Sequence, residues 1–148
     1  MPRYTLDDYL SQDEALAYLK SIGHETAEGT FANHIHVAGH IKPIPLGERV
    51  HRQTGEVSAI TLAFTRRMLD QYAAGNWPVE PTEAEIDGII DLKQLGAMAG
   101  LGRSAVKKRV FVLKQIPYKT IGRVSVVLRR EAEKFVENAT FYGKGKGE

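Results

Sequence analysis

Four polar side chains within six residues define the chemistry open to this chain. Arg103, Ser104, Lys107 and Lys108 are interleaved with Val106, Val110 and Leu113, apolar residues that recur at helical spacing. A helix of this kind is held by its apolar row and offers guanidinium, hydroxyl and ammonium groups on the other side. Those groups suit phosphate, and Arg or Lys also suits guanine O6 and N7, where a good bidentate pair discriminates by about 1–3 kcal/mol. Lys119, Arg123 and Arg129 follow closely and are expected on phosphate or in a minor groove. A weaker counterpart lies in the first half. There a candidate helix over 27–36 presents Thr30, Asn33 and His34 beside Glu28, and Arg49, His51, Arg52 and Gln53 form a loop after it. Asn33 and His34 can read bases, while Arg66 and Arg67 are placed to touch a backbone.

No catalytic constellation competes with this reading, and an enzyme is not expected. The chain has no P-loop, nucleophile elbow or HExxH motif. Asp7, Asp8, Asp13 and Glu14 cluster, but they flank a helix start, where carboxylates suit the dipole. All five histidines lie between positions 24 and 51. His36 and His40 have ligand spacing on a helix, yet Gly39 argues against a helix through His40, so neither metal nor cofactor is expected. There is no cysteine, which excludes disulfides and thiolate ligands. No apolar run approaches the roughly 18 residues of a membrane span. The start MPRYTLDDYL lacks a secretory apolar core. A cytoplasmic protein without membrane partners is the expectation.

Charge is segregated along the chain. Residues 1–76 carry 7 Lys/Arg against 9 Asp/Glu, and residues 77–88 carry four carboxylates and no cation. Residues 89–148 carry 13 Lys/Arg against 5 Asp/Glu, a local charge of +8 inside an overall +2. The basic half therefore points to a polyanionic partner.

The cations sit in an ordered series of elements. Asp91-Leu92-Lys93-Gln94 starts a helix, GLGRSAV makes a sharp turn into the basic helix, and Ile116-Pro117 ends it. YKTIGRVSVV then reads as a hairpin around Gly122-Arg123, and LRREAEKFV as a closing helix. This order resembles the MerR-type and excisionase-type winged helix-turn-helix family over about a third of the chain, on the GLGRSAV turn, the IPYKTIGR wing and the LRREAEKFV helix. The resemblance implies double-stranded DNA binding, with the basic helix in a major groove. It does not extend to the effector-sensing half of MerR regulators.

A second copy is expected upstream. Ser11-Gln12-Asp13-Glu14 is a capping box and matches Asp91–Gln94 at an offset of 80. Phe31, Ile35, Ala38, Ile41, Leu46 and Gly47 match Val106, Val110, Leu113, Ile116, Ile121 and Gly122 at an offset of 75. Phe64, Met68 and Tyr72 match Leu128, Ala132 and Val136 at 64, which leaves eleven extra residues in the first wing, with a tip near Arg52–Gly55. The expected fold is mainly α with small β-wings (α+β). Two tandem winged helix-turn-helix units, 1–76 and 89–142, are joined by an acidic, proline-containing linker, 77–88, and followed by a disordered tail, 143–148. Thr82–Glu85 can start a short helix in the linker, and Trp77 is expected to dock on a unit.

The function expected from these features is sequence-specific binding of double-stranded DNA. A transcriptional repressor or regulator would read an asymmetric operator as a monomer, since two unlike units read two unlike half-sites. The alternatives are an excisionase-like architectural factor that bends DNA, or a protein-interaction adaptor. A recombinase or polymerase is the protein partner these readings suggest, and the resemblance points to a phage or plasmid origin.

Overall fold

A computed structural model describes residues 4–137; the tail expected over 143–148 lies outside them. The fold is α+β, with short helices and small antiparallel sheets. The chain divides into two compact units. Unit 1 comprises residues 4–86 with Ile121–Val124, and unit 2 comprises 87–120 with 125–137.

In unit 1 a 3-10 turn, Leu6–Asp8, leads into strand β1, Tyr9–Leu10, and helix α1, Gln12–Ser21. Ser11 caps α1: its hydroxyl accepts from Glu14 N at 3.2 Å, and Glu14 accepts from Ser11 N at 3.0 Å. Helix α2, Glu28–His36, is followed by β2, Ile44–Leu46. A two-stranded ribbon comes next, β3 (Arg49–Val50) with β4 (Val57–Ser58), then β5, Thr61–Thr65, and helix α3, Arg66–Ala73. Strand order in the sheet is β1-β5-β2. Phe31 of α2 meets Phe64 of β5 and Tyr72 of α3 with ring centroids 5.3 and 5.5 Å apart, the aromatic centre of this core.

The short helix α4, Glu83–Asp87, closes the first segment of unit 1, and unit 2 opens at its last residue, followed by β6, Ile89–Asp91, and helix α5, Leu92–Ala99. Asp91 caps α5 reciprocally with Gln94, at 2.8 and 3.0 Å. Helix α6, Arg103–Lys107, runs directly into a π-helical turn, Lys108–Val112. Strands β7, Lys119–Ile121, and β8, Val124–Leu128, follow, and helix α7 occupies 129–137. Strand order is β6-β8-β7. Ile90, Leu95, Val106, Val110, Ile116, Val127, Ala132 and Phe135 form one buried cluster.

Apart from the β3–β4 ribbon, residues 9–73 and 89–137 thus share the order strand, helix, helix, strand, strand, helix, with the last strand central in its sheet. The offset of 75 holds where α2 and α6 begin and where β2 and β7 end. It also aligns buried Phe31, Ile35, Ile41 and Leu46 with buried Val106, Val110, Ile116 and Ile121.

Two expectations need correction. Ala38 and Leu113 are exposed rather than in the core, because the helices have ended or widened by then. The closing helices align at an offset of 63, not 64. Leu10 faces Phe64 and Ile90 faces Val127, so the strand pairing equates Phe64 with Val127, Leu69 with Ala132 and Tyr72 with Phe135. Arg66-Arg67 then falls on Arg129-Arg130. Val126, Val127 and Leu128 are all buried, so this strand lacks the alternation that would reveal its register. Twelve residues, 49–60, are consequently extra in unit 1, and they include the β3–β4 ribbon.

The stretch read as an acidic linker is packed into unit 1 as far as residue 86. Val79 and Glu85 are buried, and Ile41 forms a parallel bridge with Val79. Trp77 does dock: its Nε1 donates to the Tyr72 carbonyl at 2.9 Å, and its ring stacks on His40 at 4.0 Å. Thr82 and Glu85 cap α4 reciprocally, at 2.8 and 3.2 Å.

Candidate nucleic-acid interface

Position on α6 decides which cations are free. Val106 and Val110 are the buried row, and Arg103, Ser104, Lys107 and Lys108 are all exposed. Ser104, Lys108 and Val112 stand one turn apart, and the π-helical turn keeps Val112 in that row, 69% exposed. Between Arg103 and Lys114 the chain holds five cations and no carboxylate. Among the described residues, none of these five is in an ion pair. Arg109 is half-buried and donates to Gln115 Oε1 at 3.3 Å. This surface can attract a polyanion without first breaking internal pairs.

Lys119 begins β7 and is half-buried. Arg123 is exposed in the turn between β7 and β8. At Gly122 in that turn φ is 61°, and Thr61 fills the space where a Cβ would stand, although the residue itself is exposed. Arg129 departs further from expectation. Its Nε donates to the Asp87 carbonyl and its amide to the Gly88 carbonyl at 2.8 Å, so it ties α7 to the start of unit 2.

In unit 1, Thr30 and Asn33 are exposed on α2, and Val37 beyond them is 78% exposed. His34 is not groove-facing. Its Nδ1 shares a hydrogen bond with the Tyr72 hydroxyl, and its ring lies 4.6 Å from His40 and 5.6 Å from Trp77. Burial pushes the Tyr72 hydroxyl pKa up. Arg49 and Arg52 are exposed on the ribbon, whose tip closes with His51 accepting from Gly55 N at 2.8 Å.

Arg67, expected near a nucleic-acid backbone, is instead an internal partner. It clamps the fully buried Glu85 with Nη2 at 2.7 Å and Nε at 3.1 Å, and donates to the Glu80 carbonyl at 2.8 Å. Thr65 donates to the same carboxylate. Burial pushes the Glu85 pKa up, but the Arg67, Thr65 and Thr82 donors outweigh it and hold the carboxyl below its usual range. Arg66 stays exposed, 5.9 Å over the Tyr18 ring. Lys42 pairs with Glu80 at 3.0 Å.

No protein-family model matches the chain, and neither the curated proteins nor the solved structures return a match. Among the described residues no three His, Asp or Glu side chains converge as a metal requires, and no helix is long and apolar enough to cross a membrane. Sequence reasoning missed Val37 and Val112. Equivalent positions and apolar type were the available signal, but an apolar residue at helical spacing is ordinarily assigned to a core.

Proposed function

We propose that this protein binds double-stranded DNA through the exposed face of α6, as a sequence-specific regulator of transcription built from two tandem winged helix-turn-helix units. The observation that carries the reading is the unopposed cationic face of residues 103–114, set on the second helix of a strand–helix–helix–hairpin–helix unit. Arg103, Lys107 and Lys108 reach guanine edges or phosphate, and Val112 offers methyl groups to a thymine C5-methyl. Asn33 and Val37, at the positions equivalent to Lys108 and Val112, are exposed with the neighbouring Thr30, and Asn33 is suited to adenine. The first unit contributes fewer cations, so it adds selectivity more than attraction.

Selection of bound duplexes from a random pool, followed by binding measurements on the selected sites, tests this. Arg103→Glu with Lys107→Glu is expected to lower affinity at least tenfold at low salt while the unfolding midpoint stays put. Unchanged affinity in a folded double variant rules the reading out. It would favour a protein-docking adaptor, to which the exposure of Val112, Leu113 and Tyr118 (69%, 50% and 40%) lends support.

A further inference from the structure

The two second helices end in the same way, with one difference. In unit 1 the amide of Ala38 donates to the Asn33 carbonyl at 2.9 Å, and that of His40 to the His34 carbonyl at 2.8 Å. In unit 2 Leu113 donates to Lys108 at 2.9 Å, and Gln115 to Arg109 at 2.9 Å. Both pairs of bonds fall at the offset of 75. They span five and six residues, wider than the four of an α-helix, and each wider loop holds one residue in the left-handed region. In unit 1 that residue is Gly39, at φ 68°. In unit 2 it is Lys114, at φ 51°, the one non-glycine residue with positive φ among the described residues.

Glycine adopts this conformation without a Cβ penalty, whereas a side chain there is strained. Strained residues of this kind concentrate where the side chain has a task. Lys114 is exposed, pairs with no carboxylate among the described residues, and follows Arg103, Lys107, Lys108 and Arg109 in the carboxylate-free segment. We infer that Lys114 is a phosphate anchor of the DNA-binding surface, placed at the carboxyl end of the reading segment at a cost in backbone strain. The inference rests on the DNA reading above. It gives unit 2 a backbone contact that unit 1, with Gly39, cannot make. A phosphate contact is sequence-independent and orients the preceding α6 and its π-helical turn along the duplex.

The test compares wild type with Lys114→Gly and Lys114→Gln on a fluorescein-labelled duplex of mixed sequence across a salt series, beside thermal unfolding of each. Lys114→Gly is expected to raise the unfolding midpoint by about 2–6 °C by relieving strain. The same variant should lose about three- to tenfold in affinity and show a slope of log affinity against log salt shallower by about one. Lys114→Gln, which keeps the strained backbone, should lose the affinity without the gain in midpoint. A Lys114→Gly protein that is more stable yet binds with unchanged affinity and slope overturns the inference while leaving the DNA reading intact. A lowered midpoint overturns it too, since the lysine would then serve the helix dipole. If wild type shows no salt-dependent duplex binding at all, both readings fall together.

Discussion

The two units share an element order but differ in how they pair their charges. Unit 1 pairs several of its own: Arg67 clamps the buried Glu85, Lys42 meets Glu80 at the surface, and His34 joins Tyr72, His40 and Trp77, while Arg49, Arg52 and Arg66 stay exposed. Unit 2 leaves Arg103, Lys107, Lys108 and Lys114 facing water. The same element order can therefore carry internally paired charges in one unit and an unpaired cationic face in the other. The difference lies in whether a carboxylate stands within reach. The segment 77–86, folded into unit 1, supplies Glu80 and Glu85, whereas nothing acidic interrupts residues 103–114.

The largest effect that would sharpen this contrast is expected at Glu85. Glu85→Ala leaves the buried Thr65 hydroxyl and the half-buried Arg67 without their shared acceptor, and should cost about 2–3 kcal/mol in chemical unfolding. A loss below about 1 kcal/mol would show that unit 1 does not depend on its internal pair. The reversals Arg103→Glu and Lys107→Glu, by contrast, should change stability by less than about 0.5 kcal/mol, as expected for exposed positions. Their effect should appear in duplex affinity instead, and a large stability loss would break the contrast from the other side.

Acid exposes the same asymmetry. Because the folded Glu85 carboxyl is held below its unfolded value of about 4.3, its contribution is complete above that pH and is lost as pH falls through the lower, folded pKa. Wild type should therefore lose stability below about pH 4.3 more steeply than Glu85→Gln does in the same window. Equal slopes would remove Glu85 from the account. The smallest effect is expected on the ribbon, where Arg49→Ala and Arg52→Ala should leave stability within about 0.5 kcal/mol and weaken duplex binding only a few-fold. A loss as large as that of the α6 reversals would move the main contact surface to unit 1.

Much of the framework was legible in the residues. Ser11 with Glu14, Asp91 with Gln94 and Thr82 with Glu85 mark three helix starts, since a cap is a contact over three residues and needs no distant partner. The shared spacing of buried residues in α2 and α6 was legible in their apolar periods. The register of β8 was not, because Val126, Val127 and Leu128 are all apolar. Of the candidate site, the α6 cations were read correctly as exposed. His34, Arg67 and Arg129 were misplaced because their partners, Tyr72, Glu85 and Asp87, lie 38, 18 and 42 residues away.

By itself, then, the order of residues determined the caps, the α+β class, the buried rows of α2 and α6, and the separation of charge along the chain. All of these are local patterns, set by neighbours within a turn or two. Tertiary structure decided which cations are free, which strand residue faces which, and that a lysine occupies a glycine's backbone conformation at position 114. Those outcomes depend on groups brought together from distant parts of the chain, or on backbone geometry imposed by closing a helix, and neither is written in periodicity.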